Sequence, residues 1–277
     1  MGWIDEASKE TEVNKKAFKD YFKRSSSKEA FVSLFYGDSS SGKTYTSLTF
    51  PKPLYIIDTE NRADSNRKYN FPDADIHIFE PVEFKTDFDP KDDDALDIHK
   101  TIENITKFII DYANEVKSGN IKGGTLVLDS CTDFWTYVQD WGINELAKRI
   151  NKDGTKKADP IMMKINNQLD WGFITARHRN IIGTLKSLTN YNINIVFTAR
   201  EKTIPEYIVK TGDNTLKDKI RCQMDLPFDA DVIFNLKKVV NGNNVSYKAY
   251  CEKLGAKQTN MLPIELINYE KIKELMK

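Results

Sequence analysis

The sequence predicts an α/β protein with a mainly parallel central sheet flanked by helices, on three observations. Short apolar runs of buried-strand type recur along the chain and end in polar residues. Segments with helical periodicity separate these runs, and a glycine-rich loop directly follows the first one. Such alternation is typical of parallel sheets, because parallel strands need crossover connections. A polar turn near the C-terminus adds a predicted β-hairpin.

Composition and charge restrict the class of protein. The 277 residues are 40% hydrophobic and 30% charged, which suits one large domain with appendages. Lys and Arg together number 41, as do Asp and Glu, so a nucleic-acid partner would need a local basic patch. No apolar run approaches the roughly 20 residues of a membrane span, and the N-terminus lacks a signal-peptide pattern. We therefore expect a cytoplasmic protein with no membrane partner.

Three regions are expected along the chain. Residues 1–28 carry apolar side chains at imperfect helical spacing and are predicted to form an amphipathic helix or arm. This helix would cover one flank of the sheet or dock on a neighbouring subunit. Residues 29–240 would form the core, and residues 241–277 would add a hairpin strand and a helix packed on that core.

A phosphate-binding loop is the most specific motif in the sequence. Between an apolar run and a helix-compatible segment stand Gly37, Asp38, Ser39, Ser40, Ser41, Gly42, Lys43 and Thr44. They fit the pattern G-x-x-x-x-G-K-[ST], in which backbone N–H groups surround phosphates, the lysine reaches the β- and γ-phosphates, and the last hydroxyl binds Mg²⁺. A helix beginning near Lys43 would add its positive N-terminal end. The loop predicts binding of ATP and Mg²⁺.

Acidic residues end two further apolar runs. Asp129 ends one of them and is predicted to hold Mg²⁺, directly or through water, opposite Thr44. The next residue is Ser130, where many ATPases have a glutamate that orients the attacking water. Glu60 is the best available substitute, because open α/β sheets bind ligands at the carboxyl ends of their strands. It could also be an ordinary surface residue.

Another strand is predicted over residues 193–202. Thr198 would lie at the same sheet edge as the phosphate loop, where its hydroxyl could sense the γ-phosphate. Arg200 and Lys202 could neutralise charge in the site or across a subunit boundary, although Arg200 could equally pair with a nearby acid. The candidate catalytic residues are therefore Lys43, Glu60, Thr198 and Arg200.

The remaining segments complete the predicted layout. Helices are expected over residues 96–116, 131–149, 162–189 and 264–276, and strands over residues 231–240 and 245–251 with a turn between them. The acidic stretch 82–94 favours a solvated loop that caps the next helix. The joint 151–160 is either an exposed loop or part of a nucleic-acid path. Residues 204–226 form either a hairpin or a mobile loop.

Taken in order, these motifs resemble the RecA-like ATPases of phages and archaeal viruses. This is an AAA-type nucleotide-binding family that includes phage single-strand annealing and recombination proteins. The resemblance runs from about residue 30 to residue 240. It rests on the phosphate loop, Asp58-Thr59-Glu60, Leu128-Asp129-Ser130, Trp171-Gly172, Val196 to Lys202 and Ala230 to Ile233.

The resemblance implies a RecA-like P-loop core and a role for several residues. The strand ending at Thr198 would lie between the phosphate-loop strand and the strand ending at Asp129. Glu60 would be the catalytic base, and relatives often have His at the position of Arg200. DNA-binding loops would fall near 150–165 and 201–222.

The resemblance also implies an oligomer. ATP would lie between the subunits of a ring or filament, and a basic residue would reach it from the neighbouring subunit. The candidates for that residue are Lys237, Lys238 and Arg200.

We therefore expect an ATP-binding, Mg²⁺-dependent ATPase of viral or phage type that acts in DNA recombination, annealing or replication, with single-stranded DNA as a partner. A genome-packaging motor would instead respond to duplex DNA. A non-hydrolysing, ATP-gated assembly protein would tolerate Glu60→Gln. A nucleotide kinase would need an Arg-rich lid, and residues 201–222 contain only Arg221.

Overall fold

The computed structural model describes residues 29–86, 95–148, 168–204, 217–223, 225–257 and 262–277. The predicted N-terminal arm, the joint 151–160 and most of the acidic stretch lie outside these ranges. No helix within the described ranges is long and apolar enough to cross a bilayer.

Strands and helices alternate along most of the described chain, as the sequence predicts. The strands are β1 (Val32–Gly37), β2 (Leu54–Asp58), β3 (Ile76–Phe79), β4 (Thr125–Asp129), β5 (Asn194–Ile204), β6 (Lys217–Arg221), β7 (Val232–Asn241), β8 (Asn244–Leu254) and β9 (Ile264–Glu265). The helices are α1 (Lys43–Leu48), α2 (Ala63–Asn70), α3 (Ile98–Ser118), α4 (Cys131–Ala147), α5 (Gln168–Ser187), α6 (Leu226–Asp229) and α7 (Tyr269–Met276).

The strands form one sheet in the order β3-β2-β4-β5-β1-β7-β8-β9, and β6 pairs with β5. Neighbours from β3 to β7 run parallel, whereas β6, β8 and β9 pair antiparallel. Strand β5 lies between β1 and β4, which confirms the order that the resemblance implies. Because β1, β2, β4 and β5 are parallel, their carboxyl ends meet at one edge of the sheet.

Both faces of the central strands are buried. Leu34 contributes to the core under α3, α4 and α5, whereas the next residue, Phe35, contributes to the core that holds Leu48 of α1 and Ile272 of α7. Successive side chains of a strand point to opposite faces, so a strand covered on both sides reads as a continuous apolar run. This is why β1, β4 and β5 were visible in the sequence.

Helix α3 begins two residues later than predicted. Its cap is Asp97, whose side chain accepts a hydrogen bond from the Lys100 N–H over 2.9 Å. A capping carboxylate satisfies a free N–H group of the first turn. The cap therefore comes from the residue just before the helix and not from the acidic stretch 82–94, which was predicted to supply it.

The C-terminal region shows one confirmed prediction and one wrong one. The hairpin of β7 and β8 turns at Gly242-Asn243, as predicted. The last helix was wrongly predicted to begin at residue 264. Ile264 pairs with β8 instead, and Asn268 caps α7 by accepting from the Lys271 N–H over 2.9 Å.

The segment 204–226 was predicted to form either a hairpin or a mobile loop, and its described part contains a strand. Strand β6 pairs antiparallel with the end of β5, which makes a β-ribbon. Residues 205–216, which join the two strands, lie outside the described ranges.

Candidate functional site

The phosphate loop joins β1 to α1 at the carboxyl edge of the sheet. Gly37 has φ +152° and Gly42 has φ +96°, backbone conformations that other residues rarely adopt. A Cβ atom on Gly37 would lie 2.1 Å from the carbonyl oxygen of Leu236 in β7. The loop therefore keeps its shape because glycine lets the backbone of a neighbouring strand approach.

Lys43 and Ser41 place polar side-chain groups at the phosphate loop. The Lys43 ammonium donates to the carbonyl oxygens of Gly37 and Asp38 over 2.9 and 2.7 Å. Burial lowers the pKa of Lys43, and the nearby carboxylates, Asp129 first among them, oppose that shift. The Ser41 hydroxyl is buried and has no hydrogen-bond partner among the described residues. These donors suit an oxyanion.

Two threonine hydroxyls donate to opposite oxygens of Asp129. Thr44 Oγ1 lies 2.6 Å from Oδ2, and Thr198 Oγ1 donates to Oδ1. Burial raises the pKa of Asp129 to about 6, although both hydrogen bonds act to lower it. Thr198, the predicted γ-phosphate sensor, is fully buried, and its hydroxyl bonds to this carboxylate.

Glu60 lies on a turn that Asp58 organises. The buried Asp58 carboxylate accepts from the backbone N–H groups of Glu60, Arg62 and Ala63 over 3.0, 2.8 and 2.7 Å. These bonds join the end of β2 to the start of α2. No role for Asp58 itself was predicted from the sequence. An aspartate at a strand end, two residues before a turn position, is a recognised signal for such a turn.

Arg200 lies between two carboxylates. Its Nε donates to Glu60 Oε1 over 3.1 Å, and Nη2 donates to Asp133 Oδ2 over 2.9 Å. The structure therefore adopts the alternative in which Arg200 pairs with nearby acids. Asp133 was missed, although Ser130-x-x-Asp133 at a strand end has the pattern of a helix capping box.

A cavity of about 520 Å³ opens beside these groups. The phosphate loop, Glu60 and Asp129 line its floor. Helix α2 contributes Asn66 and Asn70, β8 contributes Tyr247, and Leu266 comes from the residue after β9. Sequence patterns gave no sign of the last two residues, because the register of the sheet brings them there.

The two lysines predicted to act on a neighbouring subunit differ in environment. The Lys237 ammonium lies 2.8 Å from both carboxylate oxygens of Glu201, whose side chain is 2% exposed. Lys238 is exposed. The predicted reach into a neighbouring site remains a prediction for both.

The donor set fits Mg²⁺ and a polyphosphate. Within the described ranges, no three His, Cys, Asp or Glu side chains cluster as metal ligands. Magnesium, however, commonly uses one or two protein oxygens together with phosphates and water. The Thr44 hydroxyl and Asp129 carboxylate supply two such oxygens. The Ser41 hydroxyl, which has no partner among the described residues, lines the same cavity as Lys43.

Comparison with known proteins gives a family. No protein with a curated description matches the chain. Among solved structures, a KaiC-like protein from the hyperthermophilic archaeon Pyrococcus horikoshii is 13% identical over 85% of this chain and 84% of its own, with a TM-score of 0.40. The family model described as an AAA domain matches residues 30–244, which is most of the chain. This protein therefore belongs to the AAA domain family.

Proposed function

We propose that this protein binds ATP with Mg²⁺ and hydrolyses it to drive DNA recombination, annealing or replication. The observation that carries the ATPase proposal is the Thr44–Asp129 hydrogen bond of 2.6 Å, beside Lys43 and Glu60 in one cavity. These groups come from the ends of two parallel strands, β2 and β4, and from the helix after the loop. The family and the loop motif support the same activity.

Each of these residues would have its own role in ATP binding and hydrolysis. The loop N–H groups and Lys43 hold the phosphates, and Thr44 with Asp129 would hold the metal ion. When bound, Mg²⁺ supplies positive charge that offsets the charge developing on the phosphates. Glu60 accepts a proton from the attacking water, and Arg200 keeps that carboxylate beside the loop. Phosphoryl transfer needs mainly such positioning and charge stabilisation.

The rest of the nucleotide would extend along the cavity, away from the loop. The side chains of Asn66 and Asn70 provide donors and acceptors on one wall, and Tyr247 provides an aromatic ring on the other. These groups suit a ribose and a base.

The DNA part of the proposal rests on the β5–β6 ribbon. Lys202 on β5 and Arg221 on β6 are both exposed. An anionic polymer such as single-stranded DNA would pair with these cations. The ribbon continues from the strand that carries Thr198, so such a ligand would bind next to the ATP site.

We also propose a ring or filament of the kind formed by RecA-like proteins of phages and archaeal viruses. ATP would lie between subunits, and the exposed Lys238 is the better placed of the two lysines to reach a neighbour, since Lys237 binds Glu201 in its own chain.

The test is the ATPase rate without DNA, with single-stranded DNA and with duplex DNA, using Lys43→Ala and Glu60→Gln as controls. Stimulation by single strands that both variants abolish supports the proposal. A response to duplex DNA alone would indicate a packaging or translocating motor. ATP binding without turnover under any condition would refute hydrolysis and leave an ATP-gated assembly protein.

A further inference from the structure

We propose that Asp133 is a positioning residue, which holds the Arg200 guanidinium and through it sets the Glu60 carboxylate for catalysis. The inference deepens the proposed function and rests on it, because it assumes that Glu60 acts on the attacking water. Asp133 carries no part of the phosphate or metal site described above.

The contacts form a continuous chain of charged groups. Glu60 Oε1 lies 3.1 Å from both Nε and Nη2 of Arg200, and Nη2 lies 2.9 Å from Asp133 Oδ2. The two carboxylates thus share one guanidinium. Charge-assisted bonds of this kind are stronger and more directional than neutral ones.

Asp133 is itself fixed by the start of α4. Its Oδ2 atom accepts from the Ser130 hydroxyl over 3.0 Å, and its N–H donates back to that hydroxyl over 3.3 Å. Ser130 directly follows Asp129, so the anchor is built on the strand that carries the proposed metal ligand. The Asp133 side chain is 18% exposed, which leaves it little freedom to move.

The backbone of Arg200 is held by the same helix. Its N–H donates to the Thr132 hydroxyl over 2.8 Å, and that hydroxyl donates to the Arg221 carbonyl oxygen over 2.6 Å. One end of Arg200 is thus held by Thr132 and the other by Asp133. The guanidinium is thereby fixed where Nη2 contacts both carboxylates and Nε contacts Glu60 alone.

Removal of the Asp133 charge should change this balance. The guanidinium would turn towards Glu60 as its one remaining carboxylate partner in the cluster. A Glu60 carboxylate drawn further towards the guanidinium would be displaced from the water. The phosphate loop should be unaffected, since the hydrogen bonds and the ion pair described for Asp133 go to Ser130 and Arg200.

The first test separates kcat from KM. In Asp133→Asn, kcat should fall about tenfold while the KM for ATP stays within about twofold, the pattern of an interaction that acts on the chemical step. Asp133→Glu keeps the charge and should recover most of the rate. Glu145→Gln is the matched control, because Glu145 lies on the same helix in an exposed pair with Lys148.

The second test needs no ATP. The Arg200 Nε–H signal can be followed by ¹H–¹⁵N NMR and assigned by its loss in Arg200→Lys. Its hydrogen exchange should change at least about fivefold in Asp133→Asn, because the hydrogen bonds of the guanidinium rearrange. The exchange rate should be the same in Glu145→Gln as in the original chain.

The outcomes are distinguishable. Turnover that depends on Glu60 but is unchanged in Asp133→Asn would overturn this inference and leave the proposed function intact. Unchanged exchange of the Arg200 proton in that variant would overturn it as well. A chain that never turns over ATP, or that works equally well as Glu60→Gln, would overturn both.

Discussion

The Thr44 hydroxyl lies 2.6 Å from Oδ2 of Asp129, although 85 residues separate the two in the chain. Thr44 is the second residue of α1 and Asp129 is the last residue of β4, and β5 separates β4 from the phosphate-loop strand. Thr198 of that intervening strand donates to the other oxygen of the same carboxylate. Three elements thus hold one carboxylate in a fixed orientation beside the phosphate loop.

Replacement of Thr44 tests whether this hydroxyl binds Mg²⁺. Thr44→Val keeps the shape and removes the oxygen, so the Mg²⁺ concentration for half-maximal ATP hydrolysis should rise about tenfold or more. Thr44→Ser retains the hydroxyl and serves as the matched control. A Mg²⁺ titration of both variants measures the effect. Equal Mg²⁺ dependence in the two variants would contradict a role for the hydroxyl.

The Lys237–Glu201 pair gives a prediction about stability. Lys237→Met would leave the buried Glu201 carboxylate without its cation, and the free energy of unfolding should fall by about 2 kcal/mol. Lys238→Met, at the exposed neighbouring position, should change it by no more than about 0.5 kcal/mol. Urea unfolding of both variants provides the comparison.

A double variant checks the cause of that loss. Glu201→Gln removes the buried charge, so adding it to Lys237→Met should recover part of the lost stability. If Lys237→Met is as stable as Lys238→Met, the ion pair does not contribute to the folded state in solution.

The sequence predicted those parts of the site that depend on local pattern. The phosphate loop, Asp129 and Glu60 each end an apolar run, so chain order and strand direction suffice to bring them to one edge. The order of β4, β5 and β1 followed from the family resemblance. Local periodicity alone would not have given it, because strand order depends on long-range pairing.

The ion pairs of Arg200 could not be predicted from the sequence. Whether Arg200 would face phosphate, a neighbouring subunit or an acid depended on where α4 begins relative to β5. Tyr247 and Leu266 were missed for a similar reason, since the pairing of β8 with β7 and with β9 decides which residues reach the cavity. The start of the last helix was wrong because Ile264 fits a helical stripe and an edge strand equally well.

His178 should make stability depend on pH. It is 2% exposed, lies against Phe134 and Trp135, and burial lowers its pKa to about 4. The unfolded chain, with a histidine pKa near 6.5, binds more protons than the folded protein between these values. This contribution is therefore fully present above about pH 6.5 and is lost as the pH falls towards 4, by up to about 3 kcal/mol.

The measurement is the free energy of unfolding at several pH values between 4 and 7, in the original chain and in His178→Phe. The difference between the two chains isolates His178, because the raised pKa of Asp129 contributes a slope of opposite sign to both. His77→Gln, which changes an exposed histidine, is the control. Parallel pH curves for His178→Phe and the original chain would contradict the prediction.

Two helical glycines should respond to alanine in opposite directions. A Cβ atom on Gly142 in α4 would lie 2.4 Å from Cγ1 of Ile174, which is fully buried in α5 and has no room to move. Gly142→Ala should therefore lower the free energy of unfolding by about 1–3 kcal/mol through overpacking. Gly172 has nothing within 4 Å of the same atom, so Gly172→Ala should raise the free energy of unfolding by about 0.5–1 kcal/mol through helix propensity.

Thermal unfolding of both variants measures whether each substitution stabilises or destabilises the protein. The double variant Gly142→Ala, Ile174→Ala should lose less stability than the sum of the losses in the two single variants. If Gly142→Ala is as stable as Gly172→Ala, helices α4 and α5 do not pack this closely in solution.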